Sequence, residues 1–137
     1  MSCIFCRIIA GEVPAQTVFE NDSIIVFLDA SPLFPGHALV CPKMHFDTLM
    51  DVPPDLLKPL FETVQVIGRA VETGLSAEGS FMAVNNKISQ SVPHLHVHVV
   101  PRRPKDGLKG FFWPRQKYRD AEEMRQTAEA IRKAIPV

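Results

Sequence analysis

The run "PHLHVHVVPR" at residues 93–102 places His94, His96 and His98 at alternate positions, with Leu95, Val97 and Val99 between and after them. A period of two belongs to a strand, where successive side chains point to opposite faces; a helix would scatter the same residues around its circumference. The spacing therefore predicts a strand over 94–101. One face would carry a row of three imidazoles, roughly 6.6 Å apart from one to the next, and the other would bury aliphatic side chains.

A strand needs partners, and the rest of the chain supplies them. "TVFEND" (17–22) and "SIIVFLDAS" (23–31) are rich in β-branched and aromatic residues and meet at Asn21-Asp22, which predicts a hairpin. "SPLFPG" (31–36) reads as a loop, "HALVCPK" (37–43) as a third strand and "SFMAVN" (80–85) as a fourth. Leu56, Leu57, Leu60, Phe61, Val64, Ile67 and Val71 repeat with a 3.6-residue period, so a helix follows Pro53 and Pro54 and ends near Gly74, with Pro59 tightening or kinking its start. A final helix is expected over 120–135, with Asp120 as its N-cap and Met124, Ala128, Ile131 and Ile135 on one side. The order of elements predicts an α+β fold with an antiparallel sheet of about five strands, one long helix and a C-terminal helix. No βαβ rhythm and no glycine-rich phosphate loop is present, which argues against Rossmann and P-loop enzymes.

At 137 residues the chain makes about one domain. Its charge is balanced overall, yet residues 101–137 hold 10 Lys/Arg against 5 Asp/Glu. That local excess is either a solvated face or an attraction for phosphate, and the balance gives no argument for nucleic acid. No 18-residue apolar run and no secretory leader are visible, so no membrane is expected and the cytoplasm is the default address.

Two kinds of chemistry suit the histidine row. Neutral imidazole is a common zinc ligand, which would make the chain a metallohydrolase. Imidazole is also a nucleophile toward phosphorus that leaves again, with neighbouring rings donating to the charged oxygens. A third possibility is a nucleotide-binding signalling module that keeps the pocket with little turnover. Cys3 and Cys6 form a C-x-x-C that could chelate zinc, act as a redox pair or do neither; a redox pair would prefer a thioredoxin-like setting, which is absent, and zinc would need two more ligands. Cys41 lies in an apolar run and reads as an inert buried thiol.

The stretch "QSVPHLHVHVVPR" resembles the signature of the histidine triad (HIT) superfamily. "VFENDSIIVFLDASPLFPGHALVCPKMH" is similar to that family's N-terminal half, with its Asp-x-Ser-Pro and Gly-His-x-Leu-x-x-Pro-Lys-x-His elements. The resemblance covers roughly residues 3–103, and the expected division is a HIT domain over 1–104 and an extension over 105–137 packed on or near the active site. It departs from the family in the loop "NNKISQSV", which is shorter than usual and has Ser89 where glycine is common.

What the resemblance implies can be placed on this chain. His96 matches the nucleophile that forms a nucleotidyl-imidazole, His98 a histidine that contacts the α-phosphate, and Ser91 the serine of the phosphoramidase branch that assists the leaving group. Asp29 matches the acid that binds both ribose hydroxyls. Phe27, Phe19, Val13 and Ala30 match positions around a purine base, although Phe27 and Phe19 taken alone read as core. His37 matches a histidine packed behind this pocket, and Gln90 and Asn85 match polar positions near the phosphate. Some bacterial HIT proteins resemble the chain further, pairing the C-x-x-C with two histidines; here the set is Cys3, Cys6, His45 and His94, implying a structural zinc that also fixes His94. The implied activity is hydrolysis or nucleotidyl transfer at the α-phosphate of a nucleoside phosphoramidate or dinucleoside polyphosphate, in a homodimer. In the tail, "GFFWPRQKY" sets Trp113 near Arg115 and Lys117, and could cover the nucleotide pocket, reach a partner's pocket or pack as plain surface.

Overall fold

The computed structural model describes residues 3–108 and 115–136. The chain divides into two compact units, one ending at Asp106 and the other starting at Gly107. The first unit contains α1 (Ile4–Ile9), β1 (Thr17–Glu20), β2 (Ile24–Leu28), β3 (Ala38–Pro42), a 3-10 turn (Leu49–Asp51), α2 (Pro54–Gly74), β4 (Gly79–Ala83) and β5 (Val97–Arg102). The five strands form one sheet in the order β1-β2-β3-β5-β4, with every neighbouring pair antiparallel. This is the expected α+β architecture.

Helices cover the sheet on both faces. Ile24 and Val26 of β2, Val40 of β3, and Leu95, Val97 and Val99 pack on Leu60, Val64, Ile67 and Val71 of α2. Ile25 and Phe27, which alternate with them, turn to the other face and join Leu39, Cys41 and Phe5 of α1. A strand buried on both faces reads as a continuous apolar run, which is why "IIVFL" shows no alternation. Fully burying one such side chain is worth roughly 1.5–3 kcal/mol, so these two layers carry most of the first unit's stability. Pro59 lies inside α2, and the helix continues through it; the Thr63 hydroxyl donates to the Pro59 carbonyl at 2.8 Å.

Three expectations need correction. Helix α1 was not expected. The last strand starts at Val97, so His94–His96 precede it. Its ladder to β3 runs only over Val40↔Val97, Leu39↔His98 and Ala38↔Val99. Beyond Val40 other partners take over: the Pro42 carbonyl accepts from the His94 ring at 2.8 Å, and Leu95 N–H donates to the Phe46 carbonyl at 2.7 Å. Phe19 is exposed, not core, because the β1–β2 register breaks between Thr17 and Phe19 and all four β1 residues face out. Such a break changes where edge side chains point.

In the second unit, α3 (Ala121–Ala134) is capped by Asp120, whose carboxylate accepts from Glu123 N–H at 2.8 Å. Met124, Ile131 and Ile135 are exposed along it. Arg115 and Lys117 are exposed, while Trp113 lies outside the described residues.

Candidate functional site

The run through the three histidines passes under helix α1, and each imidazole meets a different partner. At its start His94 is fully buried. Its Nε2–H donates to the Pro42 carbonyl, which leaves Nδ1 as the free acceptor. That Nδ1 stands 3.5 Å from Cys3 Sγ and 3.6 Å from Cys6 Sγ. His45 has the same arrangement, with Nδ1 3.4 Å from Cys6 Sγ and Nε2–H donating to Asp47 at 2.8 Å. The four donor atoms all lie within 4.8 Å of one another. Burial, then the hydrogen bond and charge of Cys3, push the Cys6 thiol above its ordinary value, and burial holds His94 below the usual imidazole range.

His96 comes next, 5% exposed. Its Nδ1–H donates to the His94 carbonyl at 2.7 Å, which leaves the Nε2 lone pair unprotonated. Phe5 of α1 holds the ring edge-on at a centroid distance of 5.0 Å and touches Phe27 at 5.1 Å. His98, on β5, lies beside His96 at 4.9 Å between centroids, and its Nδ1 is 2.9 Å from His37 Nε2. Burial first, then the charges of His96 and His37, push His98 down to about 4, with Asp29 opposing. The three rings do share a side of the chain, as alternation requires. They do not converge on one centre: His94 groups with the thiols, His98 with Asp29 and His37, and His96 with neither.

A cavity of about 630 Å³ opens on this side, within the 300–1,000 Å³ usual for small-molecule sites. His96, His98 and Ser91 line one part of it. Phe27, Asp29, Ala30 and Val13 line another. Ile4, Phe5 and Ile8 of α1 complete the apolar wall, and none of these three was singled out in the sequence. Six residues are less than two turns, too short for a periodic signal. The clue was the C-x-x-C itself, since two sulfurs on one corner require the intervening chain to turn.

Asp29 does two things at once. One carboxylate oxygen accepts from Ser31 N–H at 2.8 Å, closing the Ser-Pro turn, and the other lies 3.8 Å from His37 Nε2 while the group lines the cavity. His37 stands behind the cavity. Gly36, at φ +101°, allows the backbone to reach it, and a Cβ there would run into Leu75.

Phe19, Asn85 and Gln90 do not line the cavity. Phe19 is on the outer strand and Asn85 is exposed. The Gln90 side chain accepts from Lys87 N–H of its own loop at 2.9 Å and donates to the Asp47 carbonyl of the segment that follows β3. In that loop Lys87 and Ser89 hold φ of +72° and +60°, the left-handed region that favours glycine.

The family model for the HIT domain matches residues 10–105. A HIT family protein of Bacillus subtilis of known structure is 34% identical, covers 100% of this chain and 99% of its own, and superposes with a TM-score of 0.90. A zinc-bound histidine triad family protein from Mycobacterium smegmatis is 36% identical, with coverage of 98% and 99% and a TM-score of 0.75. The adenylylsulfatase HINT3 of Arabidopsis thaliana is 35% identical over 77% of this chain and 55% of that longer protein.

Proposed function

The chain belongs to the HIT domain family, and from that premise we propose that it hydrolyses or transfers the nucleotidyl group of a purine nucleotide conjugate through a covalent bond to His96. The observation that carries this reading is the His96 tautomer: Nδ1–H is held by the His94 carbonyl, so the Nε2 lone pair is free in a cavity that Asp29, Ser91 and His98 also line. Nε2 attacks the α-phosphorus and a P–N bond forms. The bond to the leaving group breaks, and its electron pair departs with that group, which takes a proton with help from Ser91. Water then attacks phosphorus and gives up a proton to solvent, the P–N bond breaks, and the pair returns to Nε2. Asp29 holds the ribose hydroxyls, and Val13, Phe27 and Ala30, with Phe5 beside them, take the base. The name of the Arabidopsis relative denotes action on an adenylyl sulfate, which also has its leaving group on the α-phosphate of adenosine. Ser91 favours phosphoramidates over dinucleoside polyphosphates. The expected setting is a cytoplasmic homodimer; no helix among the described residues is long and apolar enough to cross a membrane.

Cys3, Cys6, His45 and His94 suit zinc. Two ligands at 2.3 Å (sulfur) and 2.0–2.1 Å (nitrogen) around a tetrahedral ion stand roughly 3.6 Å apart, and three of the four sulfur–nitrogen distances are 3.4–3.6 Å, the fourth lying within 4.8 Å. Both histidines also direct their other ring nitrogen to an oxygen, the arrangement that orients metal-bound imidazole. A zinc held by all four would be closed to substrate and structural: it would tie the N-terminus to the segment that positions His96. The zinc-bound mycobacterial relative supports the choice of metal.

Incubation with an adenosine phosphoramidate, followed by acid-free quench and peptide mapping, should show an AMP adduct on His96, and His96→Ala should lose turnover by roughly 10⁴-fold or more. Undiminished hydrolysis by His96→Ala would refute the nucleophile. Turnover lost on metal removal with the fold intact would favour a catalytic metal, and AMP binding without adduct or turnover would favour a binding module.

A further inference from the structure

His37 lies outside the cavity, yet its two ring nitrogens are both committed. Leu33 N–H donates to His37 Nδ1 at 3.0 Å. A backbone N–H can only donate, so Nδ1 carries no proton, and in a neutral ring the proton sits on Nε2. That Nε2–H points to His98 Nδ1 at 2.9 Å. His98 Nδ1 must therefore accept, and its own proton is on Nε2. Nε2 is also the ring nitrogen of His98 left for the cavity.

We propose that His37 is a positioning residue that sets the tautomer of His98, so that His98 presents an N–H, not a lone pair, to the α-phosphate oxygens. The proposal rests on the covalent reading above and deepens it. The two tautomers along the histidine run then oppose each other. His96 is locked with its lone pair on Nε2 by the His94 carbonyl, and His98 is locked with its proton on Nε2 by His37. One ring attacks phosphorus while its neighbour donates to the non-bridging oxygens, whose charge grows in the transition state. Reversing the second tautomer would turn a lone pair toward an anion.

The local sequence builds this arrangement. The "SPLFPG" loop brings Leu33 N–H onto the ring, and His37 N–H donates to the Phe34 carbonyl at 3.0 Å, so the loop holds both backbone and side chain. His37 is 4% exposed, and burial pushes it below the ordinary imidazole range, which keeps it neutral and the chain of donors intact. A protonated His37 would set two N–H groups against each other at Leu33. Asp29 Oδ2, at 3.8 Å from His37 Nε2, is too distant to compete with His98 for that proton.

The test reads tautomers directly. Long-range ¹H–¹⁵N correlation on ¹⁵N-histidine-labelled wild type should show both His37 and His98 protonated at Nε2 and not at Nδ1. His37→Phe, which keeps the bulk, should give His98 a mixed tautomer and lower kcat by roughly 10- to 100-fold, with KM for an adenosine phosphoramidate changed less than about threefold. His37→Gln, whose amide can donate from the Nε2 position, should restore both readouts to within about threefold. Nδ1–H on wild-type His98, or an unmoved His98 tautomer and kcat in His37→Phe, would overturn the proposal. Failure of the covalent reading is separate: no adduct would form on wild-type His96, whatever the tautomer of His98.

Discussion

The two ends of one short histidine run are built from the same residue and do opposite things. At the His94 end the ring is fully buried, its outer nitrogen is tied to a backbone carbonyl, and its inner nitrogen faces two thiols. At the His98 end, four residues on, the inner nitrogen accepts from His37 and the ring borders a cavity. Both rings have one nitrogen committed. What differs is the atom left over and what stands opposite it: sulfurs at one end, substrate space at the other. Residue type and spacing place the rings on one side of the chain, and partners from distant loops divide the work. His96 lies between the two ends and takes its tautomer from the backbone of the first.

The comparison can be broken at either end. At the cavity end, Asp29→Ala should raise KM for an adenosine conjugate by roughly 10- to 100-fold, the worth of hydrogen bonds to one charged group, while metal content stays the same; an unchanged KM would remove Asp29 from the ribose. At the sulfur end, Cys3→Ser should lower bound zinc and the melting temperature together, by roughly 5–10 °C for a loss of 2–3 kcal/mol. Full metal content in that variant would reject the four-ligand site. A smaller effect, read through pH, belongs to the cavity end. His98 is pushed down to about 4, chiefly by burial. A histidine lowered in this way contributes stability that is whole above its unfolded value near 6.5 and is lost as pH falls toward 4. Wild type should therefore lose more melting temperature between pH 7 and pH 4.5 than His98→Gln does, and parallel curves would contradict the assignment. The smallest effect is expected outside both ends: Phe19→Ala, on the exposed face of an edge strand, should change KM less than twofold and stability by about 0.5 kcal/mol or less.

Much of this was legible in the residues. The 3.6-residue period of α2 and the Asn-Asp turn are local signals, and each produced the element expected, while the two-residue period of the triad gave a strand only from Val97 onward. The signature residues Asp29, Ser91, His96 and His98 were legible through family resemblance, and they meet at one cavity. What escaped was decided by contacts between distant segments. The strand stops short of His96 because Pro42 and Phe46 carbonyls are taken by His94 and Leu95, a pairing no window of sequence contains. Phe19 has the composition of a core residue, and the register break in β1 turns it outward. The Gln90 side chain, matched by resemblance to a position near the phosphate, bonds Lys87 N–H in its own loop and the Asp47 carbonyl of a distant segment. Helix α1 is too short to stand on its own periodicity and is held by Phe5 against Phe27 and His96.

The central claim is a covalent bond to His96, and the stereochemistry at phosphorus tests it most directly. Two in-line displacements at the same phosphorus, one by His96 and one by water, invert it twice. Hydrolysis in ¹⁸O-water of an adenosine conjugate made chiral by sulfur at the α-phosphorus should therefore proceed with overall retention of configuration. Inversion would mean a single displacement by water and would contradict the nucleotidyl-histidine.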